Sequence, residues 1–164
     1  MKRINIITGH YGSGKTEIAL NMALKLREEH ENVVICDMDI VNPYFRTRDS
    51  LEELNAAGIK LISSEFASSN VDLPALPQDV YSLLDKRDEK AIMDIGGDDR
   101  GAYALGRYSD AIIEENDYEL LFVFNKFRPL TPDAESAVEI MSEIEAACKM
   151  KFTAIVNNSN LGEL

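Results

Sequence analysis

The stretch Gly-His-Tyr-Gly-Ser-Gly-Lys-Thr at residues 9–16 fits the pattern G-x-x-x-x-G-K-[ST] at every fixed position. It follows a β-branched run at residues 4–8, which predicts a strand. It precedes residues 16–27, whose apolar side chains recur at helical spacing and predict a helix. A strand, a glycine-rich turn and a helix in this order therefore decide the fold.

A glycine-rich turn in this setting is typical of phosphate binding. Glycines let backbone N–H groups approach phosphate oxygens closely, and the helix N-terminus adds a positive partial charge. We expect Lys15 to reach the β- and γ-phosphates and to act in catalysis, and the Thr16 hydroxyl to bind Mg²⁺. The predicted nucleotide contacts in this stretch are Gly9, His10, Tyr11, Gly12, Ser13, Gly14, Lys15, Thr16 and Glu17.

Composition narrows the class of protein. The chain has 164 residues, 45% of them hydrophobic, which predicts one domain spanning residues 1–164. Its net charge of −12 argues against direct nucleic-acid binding. Two cysteines, Cys36 and Cys148, are neither a disulfide framework nor a C-x-x-C metal pair. No signal peptide or apolar run of membrane-spanning length is visible, so we predict a cytoplasmic protein.

Alternating strand and helix patterns predict an α/β fold, with three α/β/α layers around a mostly parallel central sheet. Residues 101–115 predict one helix. Thr131-Pro132-Asp133 predicts a helix start with a threonine cap and a proline in the first turn. The predicted apolar face of that last helix is Val138, Ile140, Met141, Ile144 and Ala147.

Polar clusters follow the predicted strands, and parallel strands carry their ligands at their carboxyl ends. Asp94 suits a carboxylate that holds Mg²⁺ through water, although it could instead cap the next element. Asp37 and Asp39 lie two residues apart, so one is predicted to support Mg²⁺ and the other to orient the attacking water. A solvated acidic turn is the alternative for this pair.

The base-reading residues are sought after the last two strands. Asn157 and Asn158 are predicted to contact a purine edge, but Asn is also an ordinary turn residue. The segment 125–128 begins like the guanine-reading Asn-Lys-x-Asp motif, with Arg128 in place of the aspartate. This replacement favours ATP over GTP.

Together these motifs resemble the MinD/ParA group of P-loop ATPases, in the larger class that also holds nitrogenase iron protein and dethiobiotin synthetase. The resembling pieces are GHYGSGKT, VVICDMDIVNPYF, IMDIGG and AIVNNSN, which span nearly the whole chain. The resemblance implies a parallel-sheet ATPase that dimerises around nucleotide and uses hydrolysis to switch a protein partner. Matched by position, Lys15 and Thr16 are the phosphate and Mg²⁺ ligands. By the same matching, Asp39 positions water, Asp94 is the Walker B acid and Asn157 contacts adenine.

The chain departs from this family at His10, which stands where the group carries a signature lysine that reaches across the dimer. The departure puts trans-activation in doubt. The chain also ends directly after the predicted base-reading loop, where homologous domains continue, so we expect further C-terminal elements in a longer parent.

Three functions remain open at this point. The first is a Mg²⁺–ATP-dependent MinD/ParA-like ATPase switch. The second is a small-molecule kinase or ligase similar to dethiobiotin synthetase, and the third is a nucleotide-binding switch with negligible turnover.

Overall fold

A computed structural model of the chain describes residues 1–10, 12–39, 48–63, 77–97, 99–125 and 133–159. Strands and helices alternate along these ranges. The strands are β1 (Ile4–Thr8), β2 (Val33–Asp37), β3 (Lys60–Ser63), β4 (Lys90–Asp94), β5 (Tyr118–Phe124) and β6 (Ala154–Asn157). The helices are α1 (Lys15–Glu29), α2 (Arg48–Ala57), α3 (Pro77–Asp85), α4 (Asp99–Gly106), α5 (Ser109–Glu115) and α6 (Ala134–Cys148).

The strands within the described ranges form one sheet in the order β3-β2-β4-β1-β5-β6. Every neighbouring pair is parallel. Strand β1 therefore lies between β4 and β5, and β2 lies on the far side of β4. All carboxyl ends meet at one edge, so the turn after β1 lies beside the segments that follow β4 and β5.

Helices cover both faces of the sheet, which confirms the predicted three-layer α/β/α architecture. Strand β1 is buried along its whole length, as expected for a strand covered on both faces. Ile4 and Ile6 pack in one apolar cluster with side chains of α3, α4, α5 and α6, whereas Ile7 packs in a second cluster with α1 and α2. None of the helices in the described ranges combines the length and apolar character needed to cross a lipid bilayer.

A buried arginine ties the opposite, amino-terminal edge of the sheet together. Arg3 forms an ion pair with Glu115 at the end of α5. It also donates hydrogen bonds to the backbone carbonyls of Leu83 (3.2 Å) and Glu89 (3.0 Å). The charge of Arg3 is thus satisfied far from the carboxyl-terminal edge.

The start of α6 corrects the predicted threonine cap. Asp133 is the residue that caps the helix, because its Oδ1 accepts a hydrogen bond from the Ser136 backbone N–H at 2.8 Å. An aspartate cap satisfies one of the N–H groups that a helix start leaves without an intrahelical partner. Thr131 and Pro132 lie outside the described residues.

Two further expectations about helices were wrong. The single helix predicted over residues 101–115 is two helices, since α4 ends at Gly106 and α5 starts at Ser109. Tyr108, between them, is buried and packs edge-on against Tyr81, with ring centroids 5.0 Å apart. In α6, Val138 is 58% exposed rather than part of the apolar face, which turns Ala137, Ile144 and Cys148 towards the sheet.

We predict that α6 is held by Ile144 and not by Val138. Ile144→Ala should lower the free energy of unfolding by about 2–4 kcal/mol, because it opens a cavity under the helix. Val138→Ala on the same helix should change it by about 0.5 kcal/mol or less, since that side chain is mostly exposed. Urea unfolding followed by circular dichroism measures both. Equal losses for the two variants would show that the helix packs in another rotation.

Candidate nucleotide-binding site

The glycine-rich loop joins β1 to α1 in the geometry of an anion-binding turn. Gly12 and Gly14 have φ angles of 83° and 87°, the left-handed region that glycine adopts without steric cost. The Ser13 N–H donates to the His10 carbonyl at 3.0 Å, which closes the turn. Because Gly14 stands at the N-cap of α1 and has no side chain, the first N–H groups of the helix are left for an external acceptor.

The side chain of Lys15 joins the ends of three elements. Its Nζ donates to Asp39 Oδ2, just beyond β2, at 2.8 Å and to Asp94 Oδ1, at the end of β4, at 2.9 Å. The Thr16 hydroxyl donates to the other oxygen of Asp94, Oδ2, at 3.2 Å. The structure thus brings together four of the residues that the sequence singled out, at the carboxyl-terminal edge of the sheet.

Burial and charge act against each other in this cluster. Burial alone would lower the pKa of Lys15, but attraction to Asp94 and the hydrogen bond to Asp39 outweigh it, so the pKa of Lys15 is raised. The pKa of the Asp94 carboxyl is also raised, chiefly because burial disfavours its charged form. Two carboxylates share one ammonium group, which leaves the cluster with one excess negative charge.

The oxygen atoms near Thr16 and Asp94 suit a hard divalent cation. Mg²⁺ usually takes one or two protein oxygens and completes its shell with water and substrate phosphates. A hydroxyl and a carboxylate 3.2 Å apart beside the glycine loop fit that requirement. Within the described ranges, no group of three or more His, Cys, Asp and Glu side chains is placed to hold a metal, so an all-protein cage is not formed there.

Asp37 lies at the end of β2 and shapes the turn that presents Asp39. Its side chain is buried, and Oδ1 accepts a hydrogen bond from the Asp39 backbone N–H at 3.2 Å. Asp39 itself is 6% exposed, so the pair is not a solvated acidic turn. The predicted metal contact of Asp37 stays a prediction.

The loop after β6 reaches the glycine loop through Asn158, which the sequence offered beside Asn157 without choosing its role. Asn158 Nδ2 donates to the Ser13 carbonyl at 2.9 Å, and its backbone N–H donates to the Phe124 carbonyl at 2.7 Å. Asn157 is exposed, and its side-chain oxygen accepts from the Ser159 N–H at 3.1 Å. Only the fold could reveal the Ser13 contact, because it spans 145 positions of sequence.

His10 turns towards α6. Its side chain is half-buried, and Nε2 makes no hydrogen bond within the part of the chain that the structure describes. Burial lowers the pKa of His10, and the Glu143 carboxylate on α6 partly offsets this effect. A neutral imidazole on that side of the loop differs in charge from the lysine of the MinD/ParA pattern.

The remaining predicted contacts are of two kinds. Glu17 lies exposed in the first turn of α1. Tyr11 lies outside the described residues, as do Lys126 and Arg128 of the predicted base-reading segment.

The segment after β4 packs directly on the glycine loop. A Cβ atom added to Gly97 would overlap the carbonyl oxygen of Gly9. The Ile95 N–H donates to the Ile7 carbonyl at 2.9 Å, which keeps the two strands in contact to their ends. Glycine at position 97 is therefore required by close approach of two backbones.

Comparison with known proteins gives a partial family match. The family model described as Zeta toxin matches residues 2–72, from β1 to beyond β3 and less than half of the chain. A comparison with curated proteins found no significant match.

Solved structures match over nearly the whole chain. The signal recognition particle receptor FtsY from Elizabethkingia anophelis has a TM-score of 0.58 at 17% identity, covering 96% of this chain and 50% of its own. FlhF complexed with GTP/Mg²⁺ has a TM-score of 0.56 at 13% identity, covering 99% and 68%. A nucleotide-binding protein in complex with ADP from Archaeoglobus fulgidus has a TM-score of 0.51 at 16% identity, covering 95% and 65%. The chain thus spans about half the length of the FtsY structure it matches.

These likenesses, with the glycine loop between β1 and α1, show that the chain has the fold of the P-loop NTPases. That class is coarser than the MinD/ParA group, which stays a prediction.

The contact between Gly97 and Gly9 makes a prediction that separates the site from the fold. Gly97→Ala should weaken nucleotide binding at least about tenfold, because relieving the overlap moves the loop, a loss of about 1.4 kcal/mol. Gly58→Ala is the control: its φ of 74° makes alanine strained, but it lies after α2, away from the loop. Isothermal titration with a nucleotide analogue and thermal melting compare the two. The account of the loop is wrong if both variants lose stability and neither loses affinity.

Proposed function

We propose that this chain binds a nucleoside triphosphate with Mg²⁺, prefers ATP to GTP, and hydrolyses it as a MinD/ParA-like switch that acts on a protein partner. The observation that carries the proposal is the convergence of Lys15, Thr16, Asp39 and Asp94 beside the glycine loop. Phosphoryl transfer needs positioned charge rather than covalent chemistry from the protein, and this cluster supplies that charge.

Each residue has a distinct role in the proposed reaction. Lys15 and the N–H groups of residues 12–16 bind the phosphates and stabilise the charge that develops on them. Thr16 and Asp94 hold Mg²⁺, which when bound neutralises charge on the β- and γ-phosphate oxygens. Asp39 orients a water whose oxygen attacks the γ-phosphorus. The bond from that phosphorus to the bridging oxygen breaks, giving ADP, phosphate and a proton.

The preference for ATP is supported by the end of the sheet that reads the base. Asn125, after β5, is buried, as a structural residue of that loop would be. The position of a guanine-reading aspartate holds Arg128, which cannot accept hydrogen bonds from guanine. Asn157, exposed at the end of β6, carries both a donor and an acceptor for an adenine edge.

The partial Zeta toxin match favours a second candidate, transfer of the γ-phosphoryl group to a small acceptor. Its family model covers the glycine loop, β2 and the segment up to residue 72, and it is kinase-like. The acceptor's hydroxyl or amine would then replace water as the nucleophile, with Asp39 accepting its proton.

We predict that Lys15→Ala abolishes most turnover. Loss of one charged group that stabilises the transferring phosphoryl should lower kcat/KM for ATP by about 100-fold or more. Lys25→Ala, an exposed lysine on the same helix, makes the same charge change and should leave kcat/KM near that of the natural chain. Phosphate release measures both, and GTP in place of ATP should give a lower kcat/KM. Equal rates for the two variants, or a preference for GTP, would contradict the proposal.

A second prediction separates the switch from the kinase. For a switch that dimerises around nucleotide, the turnover per molecule should rise with protein concentration, because the active species is bimolecular. For a kinase it should stay constant and increase when the acceptor is supplied. ADP formation measured over a 100-fold range of protein concentration, about two decades around a micromolar Kd, distinguishes them. Binding of ATP without ADP formation at any concentration would leave only the nucleotide-binding switch.

A further inference from the structure

The ammonium group of Lys15 occupies a position between two buried carboxylates. The side chains of Lys15, Asp39 and Asp94 are 7%, 5% and 1% exposed, and both N–O distances are below 3 Å. The Thr16 hydroxyl bonds the second oxygen of Asp94. The cation that balances these acids is therefore supplied by the protein itself, through the lysine expected to bind phosphate.

Phosphate oxygens and the two carboxylates compete for the same donors. A lysine ammonium has three N–H donors, and two of them point at Asp39 and Asp94. Drawing Lys15 towards a triphosphate leaves two buried carboxylates without a counter-charge, close to an incoming polyanion. Breaking a buried pair from one side is strongly unfavourable because it leaves an uncompensated charge.

We propose that Lys15 is the resident counter-cation of Asp39 and Asp94, so that a nucleoside triphosphate gains this lysine only when a divalent cation takes over the carboxylates. Nucleotide and Mg²⁺ then enter together, and neither binds well alone. Asp39 sets the strength of this coupling, because it holds Lys15 without bonding Thr16. The inference rests on the proposed function for the nucleotide and on the geometry for the metal.

The rival explanation is that the ion pairs only hold three elements together. Under that explanation, removing either partner lowers stability and weakens every ligand alike. Under the proposal, removing a partner makes one ligand bind more tightly. The sign of the change in affinity therefore decides between them.

The first test uses Mg²⁺ alone and needs no nucleotide. Lys15→Gln leaves two buried carboxylates without their ammonium, so Mg²⁺ should bind this variant at least about tenfold more tightly than the natural chain. The thermal midpoint of Lys15→Gln should also rise more with added Mg²⁺ than that of Lys25→Gln, the exposed-lysine control. Equal Mg²⁺ affinity in all three proteins would overturn the resident-cation role.

The second test uses a non-hydrolysable ATP analogue with EDTA or with Mg²⁺. Asp39→Asn frees Lys15 from one acid and removes one negative charge, so analogue affinity without Mg²⁺ should rise roughly tenfold, while the protein alone becomes less stable. Asp85→Asn, an exposed acid at the end of α3, controls for net charge. Weaker analogue binding by Asp39→Asn, with stability lowered as well, would show a structural role only.

The two tests fail separately. If the natural chain binds no analogue under either condition, the proposed nucleotide function is wrong, and the Mg²⁺ titration of Lys15→Gln still decides the role of the lysine. If the natural chain binds the analogue equally with EDTA and with Mg²⁺, the nucleotide function stands and the coupling is wrong.

Discussion

A buried ammonium group has to be paired, and the pairing of Lys15 with Asp39 and Asp94 is the interaction on which the carboxyl-terminal edge depends. It joins the start of α1 to the segment after β2 and to the end of β4. The sheet order makes this possible, because β4 lies between β1 and β2 and all three run in the same direction. The same edge receives the loop after β6 through Asn158. One charge thus gathers the chemistry of segments far apart in sequence.

Much of this architecture is predictable from sequence, and for physical reasons. The octapeptide at residues 9–16 requires a left-handed turn before a helix, and glycine is the residue that permits it. Strands that are apolar on both faces predict a parallel sheet between helices. Once that sheet is assumed, Asp39 and Asp94 fall at the edge that carries Lys15, and the structure confirms that they lie together.

The details that the sequence left open or mispredicted depend on tertiary contacts. Thr131 and Asp133 are both good caps, and the geometry of α6 chooses Asp133. Val138 is apolar but lies about 100° around the helix from Ala137, and packing on the sheet exposes it. Asn158 bonds Ser13 only because β6 lies next to β5, which lies next to β1. The identity of the base and of any partner depends on segments that local pattern does not define.

The central claim is that the Lys15 cluster receives the phosphates of a nucleotide. A crystal structure of the protein grown with Mg²⁺ and a non-hydrolysable ATP analogue tests it most directly. The account predicts the triphosphate against the N–H groups of residues 12–16, the metal beside Thr16 and Asp94, and the Lys15 ammonium moved from Asp39 to phosphate oxygens. A nucleotide bound elsewhere, or bound with Lys15 still held by both carboxylates, would contradict it.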